Sequence, residues 1–245
     1  MKKIILSAII ALLPLTTMAA TVLGFQVGGG SWKHAPSGSI TSRVGGAGSS
    51  ADLKDDLHLA EKSEGYTYAI LEHPIPVIPN FKYVNTKLTT SGSGAVSTTF
   101  DFNGTNYSAS TNVTSSLQLN QTDYIFYYEL LDNVVSLDLG INAKKVDGKA
   151  TVTGAADSTF SATVPMLYAA AEIMLPAGFA IAGEISTISA GKNEVSDVTA
   201  KLTYTTDFNL GVEAGIRNQT IKVDVDSVKT NIAFKGIFAG VYFKF

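Results

Sequence analysis

Ile237-Phe238-Ala239-Gly240-Val241-Tyr242-Phe243-Lys244-Phe245 decides how this chain is read. Ile237, Ala239, Val241, Phe243 and Phe245 are apolar, while the positions between them include Gly240, Tyr242 and Lys244. A period of two is the signature of a β-strand with one apolar face. The strand stops on an aromatic residue, and the same alternation recurs in nine other segments.

Those segments are 22–33, 65–73, 78–89, 117–130, 134–146, 159–175, 178–189, 196–205 and 208–223, with 229–245 as the tenth. Every second connection is short: 74–77, 131–133, 176–177 and 206–207. The others, 34–64, 90–116, 147–158, 190–195 and 224–228, are longer. Transmembrane barrels sort their loops this way, with short periplasmic turns and long outer loops on an even number of strands. The expected fold is all-β, an antiparallel transmembrane β-barrel of ten strands. Eight strands is the alternative if 65–73 and 78–89 lie in the periplasm or the first pair is irregular.

The two faces of each segment agree with this. Tyr124, Phe126, Tyr128 and Leu130 share one side; so do Val135, Leu137, Leu139 and Ile141, and likewise Leu210, Val212, Ala214 and Ile216. These sets belong against lipid, because hydrocarbon accepts charge only at a high cost. The opposite sets carry the charges and line the lumen: Glu129, Asp138, Glu172, Glu184 and Glu213 with Lys144, Lys201, Arg217 and Lys244. Tyr124, Tyr128, Phe179, Tyr204, Phe208, Phe243 and Phe245 fall near segment ends, where interfacial aromatic girdles sit. Gly24, Gly28, Gly29 and Gly30 in the first segment are expected to make room inside a narrow barrel for large neighbours such as Trp32.

Met1-Lys2-Lys3, the apolar run 4–13 and the small-residue exit Thr16-Thr17-Met18-Ala19-Ala20 read as a secretory signal peptide, too short to span a bilayer. Residues 1–20 are expected to be removed after export through the Sec pathway, leaving 21–245 as the barrel in the outer membrane. Cysteine is absent, which excludes thiol catalysis and thiolate metal sites. A net charge of −3, evenly scattered, argues against a nucleic-acid partner, which would call for a basic stripe. Hydrophobic residues at 45% against 16% charged suit a barrel that shows an apolar belt to lipid. The expected partners are outer-membrane lipid and lipopolysaccharide, and the barrel-assembly machinery acting on the C-terminal strand with Phe243 and Phe245 as its signal. The expected state is a monomer with no cofactor.

Two long outer loops are expected, at 34–64 and 90–116. In the first, Leu53, Leu57 and Ala60 suit a short helix capped by Ser49 or Ser50. Asp52, Asp55, Asp56, Glu61 and Glu64 form a candidate Ca²⁺ set without Ca²⁺-loop spacing; a solvated loop is the plainer reading. In the second, Asn103-Gly104 between alternating residues signals a hairpin.

Ion pairs and tyrosines filling the lumen give a structural, surface-exposed barrel with a largely closed interior, since a barrel this narrow is readily filled by side chains. The alternative is a narrow small-solute channel. A third reading is a surface hydrolase. It would pair His34 or His58 with Asp52, Asp55 or Asp56 to activate water, or His34 with Ser37 or Ser39. Asp157, Glu194, Asp197, Asp224 and Asp226 would supply the acids from the later loops. His73, beside Pro74 and Pro76, reads as a turn residue that hydrogen-bonds locally.

Leu23-Gly24 with Gly28-Gly29-Gly30-Ser31-Trp32, the stretch from Glu72 to Asn80, and above all Tyr127-Tyr128-Glu129-Leu130-Leu131-Asp132-Asn133-Val134-Val135-Ser136-Leu137-Asp138-Leu139-Gly140 resemble the GlyGly family of small Gram-negative outer-membrane proteins. Asp147-Gly148 and Pro165-Met166-Leu167-Tyr168 extend the resemblance over most of the chain. It implies an outer-membrane barrel and assigns no reaction.

Overall fold

A computed structural model describes residues 23–42, 49–225 and 228–245. The leader expected at 1–20 lies outside these residues. Fourteen strands follow in order: β1 (Gly24–Ser42), β2 (Ser50–Asp52), β3 (Lys62–Glu72), β4 (Asn80–Thr86), β5 (Thr89–Ala95), β6 (Phe100–Phe102), β7 (Thr105–Tyr107), β8 (Asn112–Asp132), β9 (Val135–Val152), β10 (Ser158–Met174), β11 (Phe179–Ala190), β12 (Asn193–Thr205), β13 (Leu210–Val225) and β14 (Val228–Lys244).

Ten of them make the wall, in the order β14-β13-β12-β11-β10-β9-β8-β4-β3-β1, and β1 pairs back onto β14. Every pairing is antiparallel, and the closing seam runs from Gln26↔Lys244 to Ser42↔Val228. The eight-stranded alternative is excluded: β3 pairs with β1 and β4, and β4 pairs with β8, so both belong to the wall. β4 breaks after Thr86, and β5 resumes its place beside β8.

The strand faces follow the sequence pattern. Leu167 is 70% exposed and Ile237 64%, whereas Phe238 and Tyr242 on the other face of β14 are buried. Four tight turns lie at the end that carries Gly24 and Lys244. One of them, Pro176–Gly178, holds Ala177 and Gly178 at positive φ, 62° and 81°.

At the opposite end the strands outrun the membrane. β8 has 21 residues and β9 has 18, against the ~9–11 that a membrane-crossing strand needs. Connections expected to be long loops are therefore largely raised strand: β11 and β12 meet across Gly191 and Lys192 alone. Likewise β1 continues through His34 to Ser42 instead of ending at residue 33.

In this raised part the polarity of the strands inverts. Lower on β9, Leu139 and Ile141 point out and Asn142 points in; higher up, Lys145 and Asp147 are exposed and Val146 is buried. β13 changes in the same way, from outward Ile216 to inward-facing Ile221 between Thr220 and Lys222. The faces do not switch; the chemistry written on them does, because the outer face has left hydrocarbon for water.

The outer half thus has an apolar interior, and the first two loops fold into it. Leu53, Leu57 and Leu59 of the first loop and Leu88, Val96, Phe100 and Phe102 of the second are buried in one cluster with Trp32, Leu117 and Phe234. β6 and β7 form the hairpin expected at Asn103-Gly104, with φ of 47° and 81° at its turn, and Phe100 stacks on Tyr107 at 5.1 Å. The Tyr107 hydroxyl donates to the Thr153 carbonyl at 3.0 Å, and burial pushes this phenol above its ordinary pKa.

The expected helix over 53–60 is instead a single turn led by Asp52. The Asp52 carboxylate accepts the Lys54 and Asp55 amides, in place of a Ser49 or Ser50 cap. Asp56 accepts the Asp52 and Thr98 amides and so ties the two loops together. With Asp52 and Asp56 engaged in this way, no group of three or more His, Asp or Glu suited to a metal occurs among the described residues.

Candidate functional site

Halfway along the tube, inward positions from eight strands meet in a belt of charge. One chain of contacts runs Lys82–Glu184–Lys201–Glu213, at 2.5, 3.8 and 3.0 Å, and ends where the Tyr66 hydroxyl donates to Glu213 at 2.7 Å. A second runs Arg217–Asp197–Lys144–Asp123. Arg217 Nε and Nη2 reach the two Asp197 oxygens at 2.9 and 2.7 Å, and Lys144 Nζ lies 3.0 Å from Asp197 and 2.8 Å from Asp123. Four acids face four bases, and Asp123, Lys144 and Glu213 are buried. Charges in such a place persist only when paired and hydrogen-bonded.

Neutral groups complete the belt. Gln121 and Gln219 exchange hydrogen bonds at 2.8 and 2.9 Å, Asn142 donates to Asp123 at 2.6 Å, and the Arg217 guanidinium lies 4.9 Å from the centre of the Trp32 ring. Bulk is accommodated by glycine opposite it. A Cβ on Gly28 would stand 2.5 Å from the Tyr68 ring, and one on Gly240 would run into the Tyr66 hydroxyl, whereas one on Gly30 would first meet the Ala239 carbonyl of β14. Gly28 and Gly240 therefore make room for Tyr68 and Tyr66 on β3, and no contact of Trp32 stands among the nearest ones at these glycines.

Three spaces are stacked along the axis. The gap within the belt is about 90 Å³. Below it, at the tight-turn end, is a vestibule of about 600 Å³ lined by Glu72, Glu129, Asp132, Asp138, Glu172 and Lys244. Above it is an apolar cavity of about 450 Å³.

The lumen residues read from the sequence divide between two levels. Glu184, Lys201, Glu213, Arg217 and Lys144 are in the belt, and Glu129, Asp138, Glu172 and Lys244 line the vestibule. Sequence reasoning missed Lys82, Gln121 and Gln219; it put Asp123 on the lumen face with Glu129 but did not count it among the paired charges. It assigned Asp197 to an outer loop, whereas Asp197 is nine-tenths buried in the belt. The signal was present: Asp197, Thr199 and Lys201 share the inward parity of β12, which begins at Asn193.

The residues proposed for hydrolysis are scattered. His34 is fully buried between Trp32 and Phe234, at ring distances of 5.1 and 5.7 Å. His58 Nε2 lies 2.9 Å from the Ala95 carbonyl oxygen. Among the described residues neither makes a hydrogen bond to Asp52, Asp55 or Asp56. Ser37 donates to the Ala233 carbonyl. His73 bonds locally in its turn, through Nε2 to the Pro79 carbonyl and by accepting the Ile75 amide.

At the seam, Phe245 exchanges backbone hydrogen bonds with Phe25 at 2.7 and 2.8 Å. Their rings lie 4.9 Å apart, and Phe243 is 5.4 Å from Phe245.

No protein-family model matches the chain, and no curated protein does. Among solved structures, the outer membrane protease OmpT from Escherichia coli aligns over 93% of this chain and 98% of its own, with a TM-score of 0.53 and 10% identity. Neisserial surface protein A aligns over 90% and 97%, with a TM-score of 0.34 and 14% identity. Ail of Yersinia pestis aligns over 91% and 99%, with a TM-score of 0.33 and 10% identity. At 10% identity the likeness to OmpT is one of fold and carries no chemistry across. The chain is a ten-stranded antiparallel β-barrel of the outer-membrane kind.

Proposed function

We propose that this protein is a structural, surface-exposed barrel with a sealed lumen and no catalytic role. The observation that carries this reading is the Gln121–Gln219 bridge within the ion-paired belt, which joins opposite walls and leaves only a small gap between vestibule and outer cavity. Among the described residues neither His34 nor His58 hydrogen-bonds to Asp52, Asp55 or Asp56, and this supports a non-enzymatic role. The sequence resemblance to the GlyGly family fits the same reading. The barrel sits as a monomer among outer-membrane lipid and lipopolysaccharide after Sec export, and Phe243 and Phe245 present it to the assembly machinery.

A narrow, cation-preferring channel is the second reading; the acidic vestibule of Glu72, Glu129, Asp138 and Glu172 favours it. Swelling of proteoliposomes in isotonic potassium salt or sugar separates the two. A sealed barrel swells no faster than protein-free vesicles. Faster swelling in the salt, slowed by Glu213→Gln, would replace the sealed reading with the channel.

A further inference from the structure

We propose that the outer half of the barrel binds a free, uncharged, apolar small molecule. The cavity of about 450 Å³ above the belt lies within the size range of small-molecule sites. It separates the folded-in loops from a wall built of Phe160, Ala162 and Val164 on β10, Val195 on β12, and Ile221 and Val223 on β13. Protein interiors normally close over such surfaces and leave few voids larger than a water molecule. Here Phe160 faces the cavity and is still 52% exposed.

The floor selects the chemistry. Gln121, Gln219, Lys144 and Asp197 spend their hydrogen bonds on one another. A strongly polar ligand would lose its hydration on entry and find few free partners in return, the Thr230 hydroxyl among them. Recognition rests on shape and apolar contact, which favours a hydrocarbon-like molecule and tolerates close analogues.

The wall also has an entrance. β10 pairs with β11 only from Leu167 to Met174, so among the described residues Ser158–Met166 has β9 on one side and no paired strand on the other. Continued past Leu167↔Thr187, the register brings Gly191 and Lys192, where the β11–β12 hairpin turns back, level with Thr163 and Ala162, so the edge above them has no neighbouring strand among the described residues. Pro165, which lacks an amide donor, stands on the free edge, as prolines in sheets do. Above Leu167 the outer face of β10 carries Thr163 and Ser161. The notch therefore opens onto the aqueous side of the apolar band, and the occupant arrives from water and not as a lipid chain.

The inference goes beyond the sealed-lumen reading, whose failure appears as permeability and not as ligand binding. N-phenyl-1-naphthylamine, a neutral dye that brightens in apolar surroundings, is titrated into refolded protein in amphipol and in lipid nanodiscs. A saturable component with one site per protein is expected in both. Ala162→Trp, which fills the cavity, weakens it at least tenfold; Thr220→Trp, on the outer face of β13 away from the notch, leaves it unchanged. Val195→Asp, which charges the wall without filling the space, also weakens it. Each variant is first shown to be folded by its heat-modifiable gel mobility. No saturable component above empty nanodiscs, or equal binding by all variants, overturns the proposal. Binding in amphipol that vanishes in nanodiscs assigns the cavity to a lipid chain and overturns it as well.

Discussion

Gln121 and Gln219 hold opposite walls of the barrel together. Gln121 is on β8 and Gln219 on β13, five steps apart around a ring of ten strands, yet their side-chain amides hydrogen-bond in both directions at 2.8 and 2.9 Å. Two side chains can meet across the full diameter only in a narrow tube. Each also serves the charges beside it: Gln121 accepts from Lys144 and Gln219 donates to Asp197.

Truncating one member strands the other. Gln121→Leu is expected to destabilise the barrel by about 1–3 kcal/mol, the cost of leaving buried polar groups unpaired. Adding Gln219→Leu costs less than a second independent loss, because the two residues share their bonds. Urea unfolding of the single and double variants in detergent micelles measures both; strict additivity would mean that the bridge contributes no coupling.

The Arg217–Asp197 fork is buried, so removing one partner is worse than removing both. Arg217→Met alone leaves Asp197 with a reduced set of cations and is expected to cost about 3–5 kcal/mol, whereas Arg217→Met with Asp197→Leu recovers part of that loss. The temperature at which the heat-modifiable gel band shifts reports the order, and a double variant weaker than either single one would contradict it.

The wall of the barrel was legible in the sequence because it rests on a local, repeated signal. Leu137, Leu139 and Ile141 alternating with Asp138, Gly140 and Asn142 name a strand and its faces without reference to anything distant. The belt was only half legible. Inward parity marked Glu184, Lys201, Glu213 and Arg217 as lumen residues, but which charge meets which depends on register and stagger around ten strands. Lys82 and Glu184 lie 102 residues apart in the chain. Gln121 and Gln219 carry no charge and so gave no cue. The apolar outer cavity was missed for another reason. The inversion at Lys145-Val146-Asp147 and again at Thr220-Ile221-Lys222 was present in the sequence, but it was absorbed into the loops or the ends of membrane strands. Reading the two faces separately along β9 and β13 would have shown where the wall leaves hydrocarbon.

Gly28 is constrained by Tyr68 opposite it. Gly28→Ala drives a Cβ to within 2.5 Å of the Tyr68 ring, and the added atom has to displace a side chain buried in the belt. Overpacking of this kind costs about 1–3 kcal/mol. In a Tyr68→Ala background the same substitution should cost almost nothing, and a double-mutant cycle by urea unfolding reads the difference. Equal cost in both backgrounds would place the strain in the β1 backbone.

Phe245 closes the β1–β14 seam through its bonds to Phe25 and its ring contacts with Phe25 and Phe243. Deleting Phe245 is expected to lower the fraction of exported chains that reach the heat-modifiable folded form by several-fold, measured on outer-membrane fractions. Normal insertion of the shortened chain would count against the assembly-signal role.

A belt that seals the tube passes no ions, and single-channel recording in a planar bilayer tests this most directly. Refolded wild-type protein that shows the heat-modifiable shift should give no conductance steps. Discrete, cation-selective steps whose size changes in Glu184→Gln or Glu213→Gln would contradict the sealed lumen and make the same residues the lining of a channel.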